Sequence, residues 1–148
     1  MIKVEAAPLN PSDLYCMKGM YDEYDVFKFK YPQPQGWEGS GVVVASGGGL
    51  MANRAVGKKV SFVRPISPPN TFNAGGTYQQ YALADAMTLG VVDESIPLDV
   101  ASMSFVNPIT ALGLVDSIKG NKSKAAVQTG AASQLGRMIM KLCKSEGI

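Results

Sequence analysis

Short apolar runs broken by turn residues fill the chain up to about residue 105. Residues 41–46 form a β-branched run that ends in three glycines, and a second run of this kind begins at Val56. Residues 76–84 alternate apolar and polar positions, as a half-buried strand does. Most of the 16 glycines and 9 prolines lie at the junctions between these runs. This spacing predicts a small β-barrel over residues 1–105 rather than a helical bundle.

Helical spacing replaces this pattern after the predicted barrel. A short helix is predicted over residues 97–103. A longer helix follows, with Asn107 as its N-cap and Pro108 as its first residue, where the missing N–H of proline costs nothing. A turn at residues 120–123 then leads into a short apolar strand over residues 125–128.

The C-terminal segment continues with a small-residue turn and a helix. Within residues 134–144, apolar side chains recur at helical spacing, at Leu135, Met138, Ile139 and Leu142. Strand, turn and helix in this order are typical of the opening unit of a dinucleotide-binding fold. The sequence therefore predicts a mixed β and α/β chain. A barrel domain covers residues 1–105, and the first strand, turn and helix of an incomplete Rossmann domain cover residues 106–148.

Composition excludes several classes of function. The 14 basic and 12 acidic residues are interspersed without a basic stripe, which argues against nucleic-acid binding. No run approaches 18 consecutive apolar residues, so we expect no membrane span, and no signal peptide is visible. The chain has no histidine, which removes the commonest general base and the commonest zinc ligand. Cys16 and Cys143 are expected to be free thiols in a reducing compartment.

The turn over residues 129–136 is the first candidate site. In a GxGxxG alignment that ends at Gly136, Ala131 and Ser133 occupy the first two glycine positions. Small residues there let the backbone approach a pyrophosphate, and the helix N-terminus offers free N–H groups and the positive end of its dipole. The Ser133 hydroxyl could add a hydrogen bond to a phosphate. An ordinary strand-to-helix turn of small residues is the alternative interpretation.

Glu38, which stands just before a predicted strand in a glycine-rich segment, is the second candidate. It is either a carboxylate that faces a site or a structural acid that caps nearby backbone N–H groups. Residue type alone favours the structural role. No histidine or cysteine neighbours it in the sequence, which excludes a zinc site on ligand chemistry.

Polar side chains within residues 10–21 form the third candidate. Asp13 is expected to cap a short helical turn. Tyr15 or Tyr21 could hydrogen-bond a substrate carbonyl, because a phenol both donates and accepts. Tyrosines at the surface or at the barrel edge are the alternative interpretation. Cys16 lacks a histidine base, so a nucleophilic role is not expected.

Taken in order, six segments resemble the medium-chain dehydrogenase/reductase family. Residues 4–13 resemble its first barrel strands and loop, and residues 36–43 stand where zinc-dependent members carry Gly-His-Glu. Residues 56–60 resemble its Gly-Asp-Arg-Val strand entry, and residues 76–81 resemble its Gly-Ser-Tyr-Ala-Glu-Tyr segment. Residues 107–112 resemble its inter-domain helix, and residues 130–136 resemble its nucleotide turn. The resemblance covers nearly the whole chain and implies a GroES-like β-barrel followed by a Rossmann domain.

The resemblance is to the zinc-free branch of this family, because Trp37 replaces the histidine ligand and Asp13 stands at the cysteine position. That branch contains quinone oxidoreductases and 2-enoyl thioester reductases, which pass a hydride from NADPH to a quinone or a conjugated carbonyl. The resemblance implies catalytic or substrate-side roles for Asn10 and Tyr15, with Tyr21 as the second tyrosine, and no bound metal. It implies cofactor-binding positions at Thr110, Gly130, Ala131, Ala132, Ser133, Gln134, Leu135 and Gly136.

Two departures from the family pattern bear on activity. Ser133 replaces the middle glycine of the phosphate turn. Against the family pattern the chain is also truncated at both ends, because the family's barrel begins about one hairpin earlier and the chain holds only the first part of its nucleotide domain. The residues that read the ribose 2′ position belong to the later part, so the family alone implies NADPH rather than NADH. We expect these 148 residues alone to bind NADPH weakly and not to turn over.

Two functions stay open on the sequence. One is a partial chain of an NAD(P)H-dependent quinone or enone reductase, in the cytoplasm or the mitochondrial matrix. The other is a truncated, non-catalytic accessory or structural subunit of a larger assembly, for example a mitochondrial one. The predicted strand at residues 125–128 would be central in a parallel sheet, so either a missing C-terminal part or another chain must cover it. The reductase interpretation is favoured.

Overall fold

A computed structural model describes residues 1–21, 32–64 and 75–148. The chain divides into two compact units, Met1–Met103 and Ser104–Ile148. Among the described residues, no helix combines the length and the apolar character that a membrane crossing requires.

The first unit is built on an antiparallel sheet of five strands. Along the sheet their order is β4-β1-β2-β3-β5. The strands are β1 (Ile2–Ala6), β2 (Glu38–Val43), β3 (Lys59–Val63), β4 (Tyr81–Ala82) and β5 (Gly90–Val91). The helices are α1 (Pro11–Met17), α2 (Leu50–Ala55) and α3 (Leu98–Ala101), and a short 3-10 helix covers Ala86–Thr88. Strand β2 therefore lies at the centre, between β1 and β3.

The core lies on one face of this sheet. Phe62 and Val60 of β3 and Ile2 of β1 are almost completely buried. They cluster with Val43, Ala55 and Ala82, and Val4, Ala84 and Leu89 pack against the cluster. These residues alternate along their strands, because successive side chains of a strand point to opposite faces. The opposite set on β2 includes the buried polar residues Glu38 and Ser40.

The sheet of the predicted small β-barrel is open in the described residues. Its two outer strands, β4 and β5, are only two residues long. The strand predicted over 76–84 is reduced to β4, because the residues before it bond to a loop instead of to a strand. Gly76 and Tyr78 donate their backbone N–H groups to Pro34 and Gln35. Two intervals of the predicted barrel, 22–31 and 65–74, lie outside the described residues.

The second unit consists of two helices and the segment between them. Helix α4 covers Val106–Gly120, and helix α5 covers Gln134–Glu146. Helix α5 begins at the predicted residue. Helix α4 begins one residue before the predicted N-cap Asn107, and Pro108 therefore stands within its first turn, where no N–H is needed.

The strand predicted over residues 125–128 is not formed. Within the described residues, the backbone of this segment makes no hydrogen bond, and Val127 is fully exposed. A strand is stabilised by the backbone groups of its neighbours, and this segment has no neighbouring strand in the second unit. A groove of about 640 Å³ runs beside it, lined in part by Leu114, Ile118, Ile139 and Met140.

The close approach of β1 and β2 at Gly41 is testable. A Cβ atom at this position would overlap the carbonyl oxygen of Lys3, which is backbone and cannot move without disturbing the ladder. We expect Gly41→Ala to lower the free energy of unfolding by about 2 kcal/mol or more, measured by urea unfolding. Gly47→Ala is the control, because nothing lies within 4 Å of a Cβ there. Equal unfolding midpoints for the two variants would show that the strands do not approach as described.

Candidate functional site

Side-chain hydrogen bonds hold residues 8–13, which lead from β1 into the first turn of α1. The backbone N–H of Asn10 donates to Oδ2 of Asp13 at 2.7 Å, and its side-chain Nδ2 donates to Oε1 of Glu38 at 3.3 Å. The hydroxyl of Tyr78 donates to the carbonyl oxygen of Pro8 at 2.9 Å. The loop is therefore attached to α1, to β2 and to the segment before β4.

The local sequence explains the course of this loop. Pro11 disfavours a helical backbone at the residue before it, and Asn10 is extended, with φ −108° and ψ 151°. Pro11 then opens α1, where its missing N–H is no loss. Asp13 is the third helical residue, and its carboxyl group turns back to the N–H of Asn10. The predicted capping role of Asp13 is confirmed.

Glu38 is completely buried at the start of β2. Its side chain accepts the hydrogen bond from Asn10, and its backbone oxygen accepts one from the hydroxyl of Thr77 at 2.7 Å. This geometry favours a structural role for Glu38 over that of a carboxylate facing a site. The group that Glu38 holds is the side-chain amide of Asn10.

Tyr78 is a residue of this site that the sequence analysis did not single out. Burial of its hydroxyl raises the pKa of Tyr78 well above its usual range, and the nearby Asp13 carboxyl group adds to this effect. The hydroxyl therefore keeps its proton and stays a donor to Pro8. In the sequence, Tyr78 stands out only as a member of residues 76–81, which resemble a segment of the family. Its contact with a loop 70 residues earlier leaves no trace in local spacing.

Trp37 lies between Tyr21 and Arg64. The rings of Tyr21 and Trp37 meet edge to face, with centroids 5.6 Å apart and an interplanar angle of 73°. The guanidinium carbon of Arg64 lies 5.3 Å from the centroid of the indole, which is within cation–π range. Arg64 is only 3% exposed, and its Nη2 donates to Oε1 of Gln33 at 3.0 Å. The sequence analysis missed Arg64 as well.

The two tyrosines predicted for the substrate side differ in their surroundings. Tyr15 lies on α1 and is 47% exposed. Tyr21 follows α1, is partly buried and is packed against Trp37. The structure thus connects Asn10 to Glu38 and Tyr21 to Trp37, and the described contacts do not connect Tyr15 to either pair.

Metal ligands were not expected in this chain. Within the ranges that the structure describes, no group of three or more histidine, cysteine, aspartate or glutamate side chains is placed to hold a metal ion. The metal-free site stays a prediction of the sequence. Cys16 is buried and Cys143 is partly buried, and no disulfide joins them.

The second unit contains the turn predicted to bind phosphate. Gly130 has φ +66°, a left-handed conformation that glycine adopts without strain. The Ser133 hydroxyl caps α5 by accepting from the backbone N–H of Gly136 at 3.0 Å. The N–H groups of Gln134 and Leu135 belong to the first turn of the helix, which provides them with no acceptor. The end of the helix thus offers donors to an anion, although the Ser133 oxygen is already used as the cap.

Gly136 is buried against this turn. A Cβ atom there would lie 2.6 Å from the oxygen of Gly130 and 2.7 Å from the oxygen of Ala131. Close packing of helix against turn is the reason for the third glycine of the dinucleotide fingerprint. Thr110, the remaining predicted cofactor residue, is exposed on α4, and its hydroxyl donates to the carbonyl oxygen of Val106 at 2.7 Å.

Comparison with known proteins identifies the family. The sequence profile of the alcohol dehydrogenase GroES-like domain matches residues 1–94, which is more than half of the chain. The chain belongs to the medium-chain dehydrogenase/reductase family. The fold class and the family resemblance that the sequence indicated are confirmed, with the sheet of the GroES-like domain open in the described residues.

Relatives of this GroES-like chain are named as reductases. A mitochondrial enoyl-[acyl-carrier-protein] reductase of Arabidopsis thaliana is 32% identical over 99% of the chain. A protein of Schizosaccharomyces pombe assigned as a quinone oxidoreductase is 28% identical over 100% of the chain. A crystal structure from Mesorhizobium loti, described as an NADPH:quinone reductase, superposes with a TM-score of 0.83 at 36% identity over 99% of the chain.

The chain spans only part of these relatives. It covers 36% of the Arabidopsis protein, 41% of the yeast protein and 40% of the Mesorhizobium chain. The GroES-like match lies in the first unit, and the small-residue turn lies in the second. The activity of a whole reductase is therefore a proposal for this chain.

The raised pKa of Tyr78 predicts a late step in alkaline titration. The interactions of its protonated hydroxyl stabilise the fold below the ordinary tyrosine pKa of about 10, and they are lost as pH rises toward the higher folded-state value. Absorbance at 295 nm should show a late ionisation step, after that of the other tyrosines in the described ranges, and Tyr78→Phe should remove it. Tyr81→Phe, at an exposed position of β4, is the control. The same late step in Tyr78→Phe would contradict the assignment.

Proposed function

We propose that this chain is the acceptor-side part of a zinc-free, NADPH-dependent oxidoreductase that reduces a quinone or a conjugated enone. One observation carries the proposal. At the position where zinc-dependent members of the family have a metal ligand, the chain has Trp37, and beside it the buried Glu38 accepts a hydrogen bond from the side-chain amide of Asn10. The names of the relatives support a quinone or enoyl acceptor.

Such a site must stabilise negative charge on the oxygen of the acceptor during reduction. When bound, NADPH supplies the hydride, and the acceptor oxygen gains charge as the hydride arrives. Without a metal, hydrogen-bond donors fixed in advance are the means available to the protein. The amide of Asn10 and the phenol of a tyrosine are the donors that we assign to this task.

Of the two tyrosines, Tyr21 fits this role better than Tyr15, although the family resemblance put Tyr15 first. A donor contributes most when its position is set before the reaction begins. The ring of Tyr21 is held by Trp37, whereas Tyr15 is half exposed on α1. We therefore assign the donor to Tyr21 and keep Tyr15 as the alternative.

The turn in the second unit would hold the pyrophosphate of the cofactor. Its residues fit this group, because Gly130 and Gly136 let the backbone turn tightly and the first N–H groups of α5 are open to an anion. Thr110 is assigned to the nicotinamide side by resemblance alone. We propose residues 1–105 as the barrel domain and residues 106–148 as the first part of the dinucleotide-binding domain. The preference for NADPH follows the name of the Mesorhizobium neighbour.

A cellular location is part of the proposal. The enoyl reductase relatives are named mitochondrial, and two cysteines that are not joined by a disulfide suit a reducing compartment. We place the protein in the mitochondrial matrix, with the cytoplasm as the alternative.

The accessory-subunit alternative rests on the groove beside residues 125–128. The groove is largely apolar, and the backbone next to it has no hydrogen-bond partner among the described residues. Further strands of the same protein would cover it in a reductase, and a different chain would cover it in an assembly. Purification from the native source separates the two, because a reductase gives one longer polypeptide that reduces quinones with NADPH.

The acceptor-side assignment predicts a kinetic effect at Tyr21. In the longest natural form of the protein, Tyr21→Phe keeps the ring but removes the donor, so kcat/KM for a quinone should fall by about ten-fold or more. Tyr15→Phe is the matched control and should change kcat/KM by less than about two-fold. A loss in Tyr15→Phe alone would transfer the role to Tyr15. Unchanged kinetics in both variants would show that neither phenol is the donor.

A further inference from the structure

Arg64, Trp37 and Tyr21 form a continuous stack, which we call the Trp37 stack. The guanidinium of Arg64 covers the indole at 5.3 Å, and the ring of Tyr21 meets the indole at 73°. Arg64 and Trp37 are also joined through their backbones, because the N–H of Arg64 donates to the carbonyl oxygen of Trp37 at 2.8 Å. The stack therefore continues the pairing of β2 and β3 just beyond the ends of both strands.

A buried guanidinium is costly unless its charge and its donors are satisfied. Arg64 is 3% exposed, its guanidinium lies over the face of the indole, and its Nη2 donates to the Gln33 oxygen. Trp is the aromatic side chain that attracts a cation most strongly. These contacts hold the guanidinium of Arg64 over one face of the indole, and this restricts the plane of Trp37.

The plane of Trp37 in turn limits the ring of Tyr21. Tyr21 stands four residues after the end of α1, where no helical backbone directs its side chain. An edge-to-face contact leaves a ring fewer orientations than an exposed side chain has. The phenol oxygen lies at the far end of that ring, so a small rotation displaces it by a distance that matters for a hydrogen bond.

We propose that Trp37 and Arg64 are positioning residues that hold the phenol of Tyr21 in place for the acceptor. This inference rests on the proposed function, which assigns the donor to Tyr21. It also gives a physical role to a tryptophan at a metal-ligand position of the family.

The direct test follows the ring of Tyr21 by fluorine NMR. The chain has six tyrosines, and after labelling with 3-fluorotyrosine the signal that Tyr21→Phe removes belongs to Tyr21. We expect this signal to lie away from that of free 3-fluorotyrosine, because the indole shields it. Trp37→Leu should move it to the free position, and Trp37→Phe should restore most of the displacement. This measurement needs no turnover.

The role of Arg64 is tested by comparing two substitutions at this position. Arg64→Met removes the charge and keeps the aliphatic stem, whereas Arg64→Lys keeps a cation over the indole. We expect the Tyr21 signal to shift in Arg64→Met and to stay nearer the wild-type position in Arg64→Lys. Arg54→Met, at an exposed position of α2, is the matched control and should leave the signal unchanged. Trp37 is the only tryptophan, so in the three arginine variants, which retain it, its fluorescence reports whether the stack stays folded.

Kinetics on the longest natural form complete the test. Trp37→Leu should lower kcat for a quinone by about ten-fold with KM changed less than about two-fold, because the donor acts as charge develops and not in binding. Trp37→Phe should recover most of that loss. An unmoved fluorine signal and a wild-type kcat in Trp37→Leu would overturn the positioning role while leaving the reductase proposal in place. A wild-type rate in Tyr21→Phe would overturn both the donor assignment and the positioning role.

Should Trp37→Leu fail to fold, Arg64→Met decides the question in its place, with Arg64→Lys as its conservative counterpart. A Tyr21 signal that is identical in Arg64→Met and in wild type, with folded protein in both, would show that Arg64 has no hold on the ring. An equal shift in the Arg54→Met control would show that the effect is general and not positional. Either result contradicts the inference.

Discussion

Two completely buried carboxyl groups determine the course of the loop that carries Asn10, one of the proposed hydrogen-bond donors to the substrate. Asp13 takes the backbone N–H of Asn10, and Glu38 takes its side-chain amide. A hydrogen bond contributes about 0.5–1.5 kcal/mol net, and leaving a buried polar group without its partner costs about 1–3 kcal/mol. Neither carboxyl group can move without losing this bond. Asn10 is therefore held from two sides, and a side chain so held can act without ordering itself first.

The start of strand β2, where Glu38 lies, also positions the aromatic part of the site. Trp37 directly precedes Glu38, so the residue that supports Asn10 and the residue that contacts Tyr21 follow each other in the chain. Strand β3 supplies the opposite support, because Arg64 follows its last residue and pairs with Trp37. Close packing at Gly41 keeps β1 next to β2 over this region. In the second unit, close packing at Gly136 does the same for the turn before α5.

The features that depend on local chemistry could be predicted from the sequence. The cap by Asp13 follows from Asn-Pro-Ser-Asp, and the start of α5 at Gln134 follows from Ser133 and the apolar spacing after it. The family followed from six segments in order, none of which is decisive by itself. The start of α4 was missed by two residues, because the helix begins at Val106 with Phe105 as its N-cap and not at Pro108 after Asn107.

The features that depend on distant partners could not be predicted. Tyr78 reaches Pro8 and Arg64 covers Trp37 across 70 and 27 positions, and no periodic pattern marks such pairs. The strand expected at residues 125–128 has the right composition but no strand beside it within the second unit. Strand propensity is expressed only when a neighbour supplies the ladder.

The central claim is that Asn10 is fixed by the buried Glu38, and a double-mutant cycle tests it most directly. Asn10→Ala and Glu38→Met each remove the hydrogen bond without offering a new donor or acceptor of similar strength. Urea unfolding of wild type, both single variants and the double variant gives their coupling free energy. We predict a coupling of about 1 kcal/mol or more, with the double variant less destabilised than the sum of the singles. Additivity within about 0.3 kcal/mol would show that the two residues do not act on each other, and would contradict the account.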